Sequence, residues 1–233
     1  PNYTTCGRFF NPENIEATKK YCGSVAISWD PYRDNMSLEE LSKLGSRLAN
    51  EGIKTNIHYV ISEKTIETAT RMLEGKYDDH IKDFNAIIFL TYKPTGRADC
   101  SDVIKSPDKL GAFLKMVDSP ATEIKIGFDA CFVPSLLNRT NIDKEMVDSC
   151  ECGFFSVYVN ENLDVMPCSF CNSEDYSYSL KEFGFDDIWQ NQLSGYRKHV
   201  DASKKEVCKD CSSAPDCRGC CPFFSELFLC KLI

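Results

Sequence analysis

Apolar runs and amphipathic segments alternate through the first part of the chain. Compact, mostly apolar runs predict four buried strands, at 24–29, 53–61, 85–92 and 123–128. Helix-start signals and helical spacing predict the helices between them: Asn11-Pro12 before 13–20, the capping box Ser37–Glu40 before 38–51, a helix over 65–73, and Ser106-Pro107 before 108–118. Near-continuous apolar strands separated by single helices are typical of βαβ units, so we expect about four such units and a parallel sheet.

The carboxyl ends of the predicted strands are the first place to look for function. In a parallel sheet or barrel the functional edge lies at these ends. Here they are Asp30, Ser62, the Lys93–Arg97 turn and Ala130-Cys131. Each of them also has a plainer interpretation as an ordinary turn or helix cap.

The pattern changes near residue 140. Two short β-like runs, 154–160 and 165–166, flank a polar turn and predict a β-hairpin. Cysteines stand at its entry (Cys150 and Cys152) and at its exit (Cys168 and Cys171). Because a hairpin returns the chain to its starting point, these four thiols are expected at one end of it. A short helix is predicted near 185–193. We therefore expect two domains, 1–145 and 146–233.

Composition excludes several classes of protein. The 233 residues are 42% apolar and 27% charged, with a formal net charge of −8. That balance, without a basic cluster, argues against a nucleic-acid partner. No apolar run approaches the length of a membrane span, and no signal peptide opens the chain, so no membrane partner is expected. The first residue is Pro1, which leads us to expect either processing or a fragment of a longer protein.

The cysteines are concentrated at the end of the chain. Ten of the fourteen fall between Cys150 and Cys230. Disulfides gain little from closing loops of two to five residues, whereas convergent thiolates are what a zinc ion or an iron–sulfur cluster needs. A secreted, disulfide-rich domain is the less favoured alternative, because the long first part holds four scattered cysteines only, and a reducing cytoplasm is the expected location.

Zinc is the simpler candidate for the metal. Cys168-x2-Cys171 paired with Cys208-x2-Cys211 has the form of a zinc ribbon. The run nevertheless continues with four more cysteines that a zinc ribbon does not require: Cys217, Cys220, Cys221 and Cys230. Ten thiols exceed the four that one ion or cluster takes, so two sites are expected.

The spacing resembles that of the SPASM domain, the auxiliary-cluster domain of radical S-adenosylmethionine (SAM) enzymes that modify peptides and proteins. The family has a cysteine, then a glycine five residues before a second cysteine, then CxxC-x5-C-x3-C and a final cysteine. Seven cysteines of this chain match the pattern: Cys150, Cys168, Cys208, Cys211, Cys217, Cys221 and Cys230. The chain departs from the family at Leu163, where the glycine is expected, and at Cys220, which replaces a glycine of the CRGGCP-like segment.

The resemblance implies two auxiliary 4Fe–4S clusters with interleaved ligands. The first would be held by Cys150, Cys168 and Cys221, with Cys152 or Cys171 as the fourth ligand. The second would be held by Cys208, Cys211, Cys217 and Cys230. Cys152, Cys171 and Cys220 can equally be spare thiols. Such clusters would help to fold a segment with little apolar core and could carry an electron.

A weaker resemblance extends upstream. Thr4-Thr5-Cys6-Gly7 is similar to the end of the third strand of a radical SAM partial barrel, and 25–30 to its fourth strand. Asn56-Ile-His58 is similar to the fifth strand and Lys93–Arg97 to the turn after the sixth. On this resemblance Ser28, Asp30, Asn56 and His58 are expected near SAM or substrate, although His58 can also be an ordinary buried histidine.

One family element is missing. Radical SAM chemistry uses a CxxxCxxC loop whose three thiolates hold the cluster that binds SAM, and this chain contains no such triplet. We therefore expect a C-terminal portion of a radical SAM/SPASM enzyme, with a truncated paralogue as the alternative. SAM and a third 4Fe–4S cluster would belong to the full-length parent.

The resemblance implies a maturase-type function for that parent. It would act on a peptide or protein substrate and draw electrons from a reducing partner such as a ferredoxin or flavodoxin. Two other functions remain open at this point: a non-catalytic iron–sulfur electron carrier or binding module, and a zinc-stabilised interaction domain. No catalytic residue is identified by the sequence.

Overall fold

A computed structural model describes residues 1–32, 36–171 and 173–232, with the side chains of 205–207 left out of that description. Contacts between Cα atoms divide this part of the chain into two compact units. The first comprises 1–92 and 104–129, and the second comprises 93–103 and 130–232.

A parallel sheet of five strands forms the centre of the first unit. The strands, in spatial order, are β1 (Asn2–Thr5), β2 (Ser24–Ser28), β3 (Thr55–Ile61), β4 (Ala86–Thr91) and β5 (Lys125–Phe128). Each neighbouring pair runs parallel. The mixed α/β class and the parallel sheet were therefore predicted correctly, but the apolar runs gave four strands instead of five. Strand β1 lies at the edge and is mostly exposed, so no apolar run marks it.

Five helices follow or connect these strands: α1 (Pro12–Tyr21), α2 (Leu38–Asn50), α3 (Ile66–Leu73), α4 (Asp78–Ile81) and α5 (Pro107–Asp118). The predicted helix starts are confirmed. The Asn11 side chain accepts from the Asn14 backbone N–H at 2.8 Å. Ser37 and Glu40 form a reciprocal capping box, with bonds of 2.8 and 3.2 Å.

The two faces of the sheet differ in burial. Along β3, Ile57, Tyr59 and Ile61 are fully buried, while Asn56 and His58 between them are half-buried. The buried face carries a chain of aromatic contacts: the Tyr59 and Phe89 rings lie 6.3 Å apart, and the Phe89 and Phe113 rings 5.5 Å apart. The alternation along β3 thus leaves one face of the sheet for polar side chains.

The second unit contains a small antiparallel sheet in the order β6 (Tyr158–Val159), β7 (Asp164–Met166) and β8 (Tyr178–Ser179). Strands β6 and β7 form a hairpin in which Tyr158 pairs with Met166. Strand β8 was not predicted from the sequence, because two residues are too few to give a periodic pattern. A small apolar cluster of Val165, Ile188 and Leu193 supports this sheet.

Helices occupy much of the rest of the second unit: α6 (Val133–Arg139), α7 (Phe185–Asp187) and α8 (Ser194–Val207), with a π-helix over Ile188–Gln192. The short helix predicted near 185–193 is therefore α7 plus the π-helix. Helix α8 was missed because its sequence is mostly polar. Among its described side chains, the buried apolar ones are Tyr196 and Val200, at i, i+4 spacing, and two residues do not make a helical pattern. In the described part of the chain, no helix is both long and apolar enough to cross a membrane.

The turn of the hairpin explains how the chain tolerates Leu163. Leu163 has φ +69°, in the left-handed region that favours glycine. The Asn160 side chain accepts from the backbone N–H groups of Asn162 and Asp164, each at 2.9 Å, and the Leu163 N–H bonds to the Asn160 carbonyl at 3.1 Å. These bonds fix the three-residue loop, whose last position normally requires a left-handed residue. Leucine thus adopts a backbone conformation that usually requires glycine.

Leu163→Gly is expected to be more stable than Leu163→Ala by about 1 kcal/mol. Both variants remove the half-exposed leucine side chain, so they differ chiefly in the cost of the left-handed backbone. That cost is about 1–2 kcal/mol for an L-residue and is partly offset by the larger backbone entropy that glycine loses. Urea unfolding of the two variants measures the difference. An alanine variant as stable as the glycine variant would show that the turn does not impose this conformation.

Candidate metal centre

One cavity of the second unit is surrounded by thiols. Its walls include six cysteines: Cys131, Cys150, Cys152, Cys168, Cys220 and Cys221. Four aromatic residues also line it: Phe154, Phe170, Tyr196 and Phe223. We call this space the first cavity. It brings together cysteines that are up to 90 residues apart in the sequence.

Tight turns on either side of the hairpin place three of these thiols. The Glu151 carbonyl accepts from the N–H groups of Phe154 and Phe155, both at 2.9 Å, and this turn follows directly on Cys150. Gly153, next to Cys152, has φ +71° and bonds to Ser156 at 2.8 Å. On the other side, Pro167 and Cys168 come directly after β7, and the Cys168 sulfur accepts from the Phe170 N–H at 3.4 Å.

Cys152 lies between two other sulfurs, and this position controls their protonation. Its thiol hydrogen-bonds with those of Cys150 and Cys168, and these contacts raise the pKa of Cys152. The same contact is the main reason why the pKa of Cys150 is lowered to about 7 and that of Cys168 to about 6. Thiolates, the form that binds metals, are therefore accessible near neutral pH at Cys150 and Cys168.

Two cations stand at the first cavity. The Arg218 guanidinium lies 3.9 Å from the centre of the Phe154 ring, and the Lys93 ammonium 4.8 Å from that of Phe170. Their charges contribute to the lowered pKa values of Cys150 and Cys168 respectively. The wall of the cavity is thus suited to hold negative charge.

Cys171 is placed differently from Cys152. Its backbone N–H bonds to the Cys168 carbonyl at 3.0 Å, but its thiol points to the Ser173 carbonyl at 3.6 Å. Burial raises the pKa of the Cys171 thiol. Cys171 does not belong to the wall of the first cavity.

A second set of thiols lies at the end of α8 and in the loop that follows. Cys208 caps the helix, with its N–H on the Lys204 carbonyl at 2.9 Å, and the Cys211 N–H bonds to the Cys208 carbonyl at 3.0 Å. The sulfurs of Cys220 and Cys230 are 3.7 Å apart. Contact with Cys220 is the main cause that lowers the pKa of Cys230 to about 7, while the same contact raises the pKa of Cys220. We call Cys208, Cys211, Cys217, Cys220 and Cys230 the second set.

Hydrogen-bond donors point at sulfurs of the second set. The Asn138 side-chain amide donates to the Cys211 sulfur at 3.1 Å, and the Gly219 N–H donates to the Cys217 sulfur at 3.2 Å. Arg139 contributes to the lowered pKa of Cys230 and donates to its backbone carbonyl at 3.3 Å. Helix α6, which carries Asn138 and Arg139, therefore helps to hold this set.

Cys217 and Cys221 face different groups of thiols. Burial is the main cause that raises the pKa of each, but the charged neighbours differ. The thiols whose charges further raise the pKa of Cys221 are Cys150 and Cys168. The thiols that do the same for Cys217 are Cys230 and Cys208. Cys217 also packs against Val133 and Leu137 of α6. The run of cysteines after α8 is therefore divided between the two groups.

No three His, Cys, Asp or Glu side chains among residues 1–32, 36–171 and 173–232 converge closely enough to hold a single metal ion as they stand. The ligand sets implied by the resemblance to the SPASM domain consequently remain predictions.

Three of the four residues expected near SAM share one face of the sheet in the first unit. Ser28 is in register with His58, and Asn56 lies two residues before His58 on the same half-buried face. Burial lowers the pKa of His58. The Asn56 side chain accepts from Asn85 at 2.8 Å, next to the beginning of β4, whereas Asp30 lies beyond the carboxyl end of β2 and accepts from the Tyr32 N–H at 3.0 Å. Their role near SAM stays a prediction.

The carboxyl ends of the strands also separate into two groups. Ser62 forms a turn that starts α3, with its N–H on Thr65 Oγ1 at 2.7 Å, which fits the interpretation as a cap. Lys93, Ala130 and Cys131 instead belong to the wall of the first cavity. Sequence reasoning did not connect Lys93 or Cys131 with the other cysteines. It gave no role to Arg218, although this residue lies within the CRGGCP-like segment, and it missed Tyr196, which belongs to no motif.

Solved structures show where this fold occurs. SuiB from Streptococcus suis, bound to S-adenosylmethionine, is similar with a TM-score of 0.67 at 15% identity, over 99% of this chain and 59% of SuiB. SuiB bound to its precursor peptide SuiA matches with a TM-score of 0.65 at 16% identity, over 94% of this chain and 54% of SuiB. anSMEcpe with bound AdoMet matches with a TM-score of 0.61 at 18% identity, over 94% of this chain and 64% of anSMEcpe.

These neighbours are radical SAM/SPASM peptide-modifying enzymes. At such low identity the similarity concerns the fold, and the chain spans less than two thirds of the length of each. No family model matches the sequence, and no curated protein matches it. The predicted resemblance is thus confirmed at the level of structure: the chain has the fold of radical SAM/SPASM peptide-modifying enzymes over most of its length.

Proposed function

We propose that this chain is part of a radical SAM/SPASM enzyme that modifies a peptide, and that its residues 146–233 hold two auxiliary 4Fe–4S clusters. The observation that carries this proposal is the first cavity, whose wall includes Cys150, Cys152 and Cys168 from the hairpin and Cys221 from the C-terminal run. Four cysteine thiolates are the donor set of a 4Fe–4S cluster. The similarity in fold to SuiB and anSMEcpe supports the same assignment.

Cys152 is the fourth ligand of the first cluster in this proposal. It shares the first cavity with Cys150, Cys168 and Cys221 and contacts the first two of them directly. Cys171, the other candidate from the sequence, directs its thiol to the Ser173 carbonyl instead. The second cluster takes its ligands from the second set: Cys208, Cys211, Cys217 and Cys230.

When bound, each cluster supplies a site that accepts or donates one electron. The residues around the first cavity prepare it for such a group. Arg218 and Lys93 offset the negative charge of thiolates. Cation–π contacts with the Phe154 and Phe170 rings, respectively, hold the two cations in place. Tyr196 and Phe223, stacked with centroids 5.8 Å apart, limit the access of water. Lower exposure to solvent and nearby cations both alter the potential of a cluster.

SAM and its own cluster are assigned to the whole protein, because the 233 residues contain no CxxxCxxC triplet. Ser28, Asp30, Asn56 and His58 are proposed to lie near SAM or the substrate. The neighbouring structures have SAM or a peptide bound, which supports a peptide substrate for this protein. A reducing partner of the ferredoxin or flavodoxin type would supply electrons.

Cys152→Ala is expected to lower the iron content of anaerobically purified protein below about eight per chain and to change the spectrum of one cluster. Cys171→Ala is the matched control, three residues after Cys168 on the exit side of the hairpin, and is expected to keep both iron content and spectrum. Iron analysis and electron paramagnetic resonance (EPR) of the reduced proteins measure both effects. If Cys171→Ala removes iron, or Cys152→Ala leaves the first cluster intact, then Cys152 is not the fourth ligand.

The proposed activity is tested on the protein encoded when the reading frame is extended upstream of Pro1. If the coding DNA before Pro1 encodes an in-frame CxxxCxxC, the longer protein is purified anaerobically, reduced with dithionite and given SAM. We expect formation of 5′-deoxyadenosine, and a mass change in a peptide encoded nearby that is co-expressed with the enzyme. An in-frame stop or start codon immediately before Pro1, or no cleavage of SAM by the longer protein, would contradict the assignment as an enzyme fragment.

A further inference from the structure

Cys220 is an additional thiol in the second set. It stands where the SPASM pattern has a glycine, so the resemblance assigns it no role. Its sulfur nevertheless lies 3.7 Å from that of Cys230, which is within the range of a hydrogen bond between sulfurs. The side chain is half-buried and also forms part of the wall of the first cavity. Cys220 is therefore next to one proposed cluster ligand and within reach of both sites.

We propose that Cys220 is a positioning residue that donates a hydrogen bond from its thiol to the Cys230 sulfur and thereby raises the reduction potential of the second auxiliary cluster. This inference rests on the proposed function, since it takes Cys230 as a ligand of that cluster. A cysteine that binds iron has already lost its proton. In a pair formed by one ligand and one free thiol, the remaining proton must therefore be on Cys220, which makes Cys220 the donor.

The neighbouring ligands of the same set are hydrogen-bonded in the same way. Cys211 accepts from the Asn138 amide at 3.1 Å, and Cys217 accepts from the Gly219 N–H at 3.2 Å. With Cys220 on Cys230, three of the four ligand sulfurs have a donor directed at them. In a cluster of this type the hydrogen bonds to sulfur are one of the factors that set the potential. Cys220 thus completes a pattern that the backbone and α6 begin.

The direction of the effect follows from charge. Reduction adds one negative charge to the cluster, and a hydrogen bond to a sulfur is stronger when that sulfur carries more charge. The bond from Cys220 therefore stabilises the reduced state more than the oxidised state. Removing it makes the cluster harder to reduce, so its midpoint potential falls.

The test compares Cys220→Ala, Cys220→Ser and Cys6→Ala in the full chain. We expect Cys220→Ala to keep about eight irons and to show a lower midpoint potential for the second cluster in a redox titration followed by EPR. The serine variant keeps an O–H donor, so its potential is expected to stay closer to that of the wild type. Cys6 is an exposed thiol of the first unit and serves as the control, with no expected change. The EPR signal that disappears in Cys230→Ala identifies the second cluster.

A second measurement reports the hydrogen bond itself. Proton electron–nuclear double resonance (ENDOR) of the reduced second cluster detects protons near it, and those that exchange with solvent disappear in D2O. We expect Cys220→Ala to show one exchangeable proton coupling fewer than the wild type. A loss of about four irons in Cys220→Ala would make Cys220 a ligand and overturn the inference. An unchanged potential with unchanged iron would also overturn it. Failure of the proposed function is distinct, because it appears in the wild type as zinc or no metal in place of iron.

Discussion

Replacing Cys217 or Cys221 by alanine is expected to remove about four of about eight irons in each case, but to remove different clusters. Only three residues lie between the two in the sequence. Cys221 nevertheless belongs with Cys150 and Cys168 at the first cavity, whereas Cys217 belongs with Cys208 and Cys230. The EPR signal that remains in Cys217→Ala should match the one that remains in Cys230→Ala. The signal that remains in Cys221→Ala should match that of Cys168→Ala.

Cys100→Ala is a suitable control for this pair. Cys100 also lies in the second unit, but its thiol contacts Glu226 at 3.7 Å and is outside both groups of thiols. It is expected to keep both clusters. If Cys217→Ala and Cys221→Ala abolish the same signal, the two residues serve one site, and the division of the C-terminal run between two clusters is wrong.

Gly153→Ala is expected to lower the free energy of unfolding of the second unit by about 2–5 kcal/mol, the sum of a left-handed backbone and an overpacked contact. Gly153 has φ +71°, and a Cβ built there would lie 2.5 Å from Tyr196 Cε1 and 2.6 Å from Cδ1. The residue has little freedom to move away, because its N–H bonds to Ser156 at 2.8 Å and its carbonyl accepts from Arg197 at 2.7 Å. Tyr196 is buried and cannot swing into solvent without opening the first cavity.

Urea unfolding measures this loss, and EPR shows whether the first cluster is lost before the second. Gly195→Ala is the matched control, since a Cβ at that helical position would have no heavy atom within 4 Å. Alanine there should be neutral or stabilising by up to about 1 kcal/mol. If Gly153→Ala unfolds at the same urea concentration as the control, the packing of Tyr196 against Gly153 does not support the cavity.

The sequence predicted the sheet of the first unit well because its strands are buried and its helices are capped. The apolar run that contains β4 and the capping box at Ser37–Glu40 are local signals that tertiary packing does not change. Elements without such signals were missed, except that the resemblance indicated the end of β1 at Thr4-Thr5. Strand β1 is a mostly exposed edge, β8 has two residues, and α8 is polar throughout most of its length. In each of these, neighbours distant in the sequence decide the structure.

The site was predictable in outline for a similar reason. The number and spacing of the cysteines led us to expect two groups of thiols, and the resemblance left Cys152 and Cys171 as equal candidates for the fourth ligand. The direction of each thiol depends on local turns that spacing does not describe. The turn at Gly153 directs the Cys152 thiol toward Cys150, whereas the Cys171 thiol hydrogen-bonds to the Ser173 carbonyl. Lys93 and Arg218 both stand in segments that the sequence analysis singled out, the Lys93–Arg97 turn and the CRGGCP-like run, but their position beside the thiols depends on the fold and could not be predicted from spacing.

The most direct test of the central claim is the metal content of the wild-type protein. The chain is expressed with iron and sulfide supplied, purified without oxygen, and analysed for iron, acid-labile sulfide and zinc, with Mössbauer spectroscopy on 57Fe-enriched protein. Two 4Fe–4S clusters predict about eight irons and about eight sulfides per chain, with Mössbauer signals of 4Fe–4S centres and no stoichiometric zinc. Two zinc ions per chain with no labile sulfide would contradict the account and assign the cysteines to structural zinc sites.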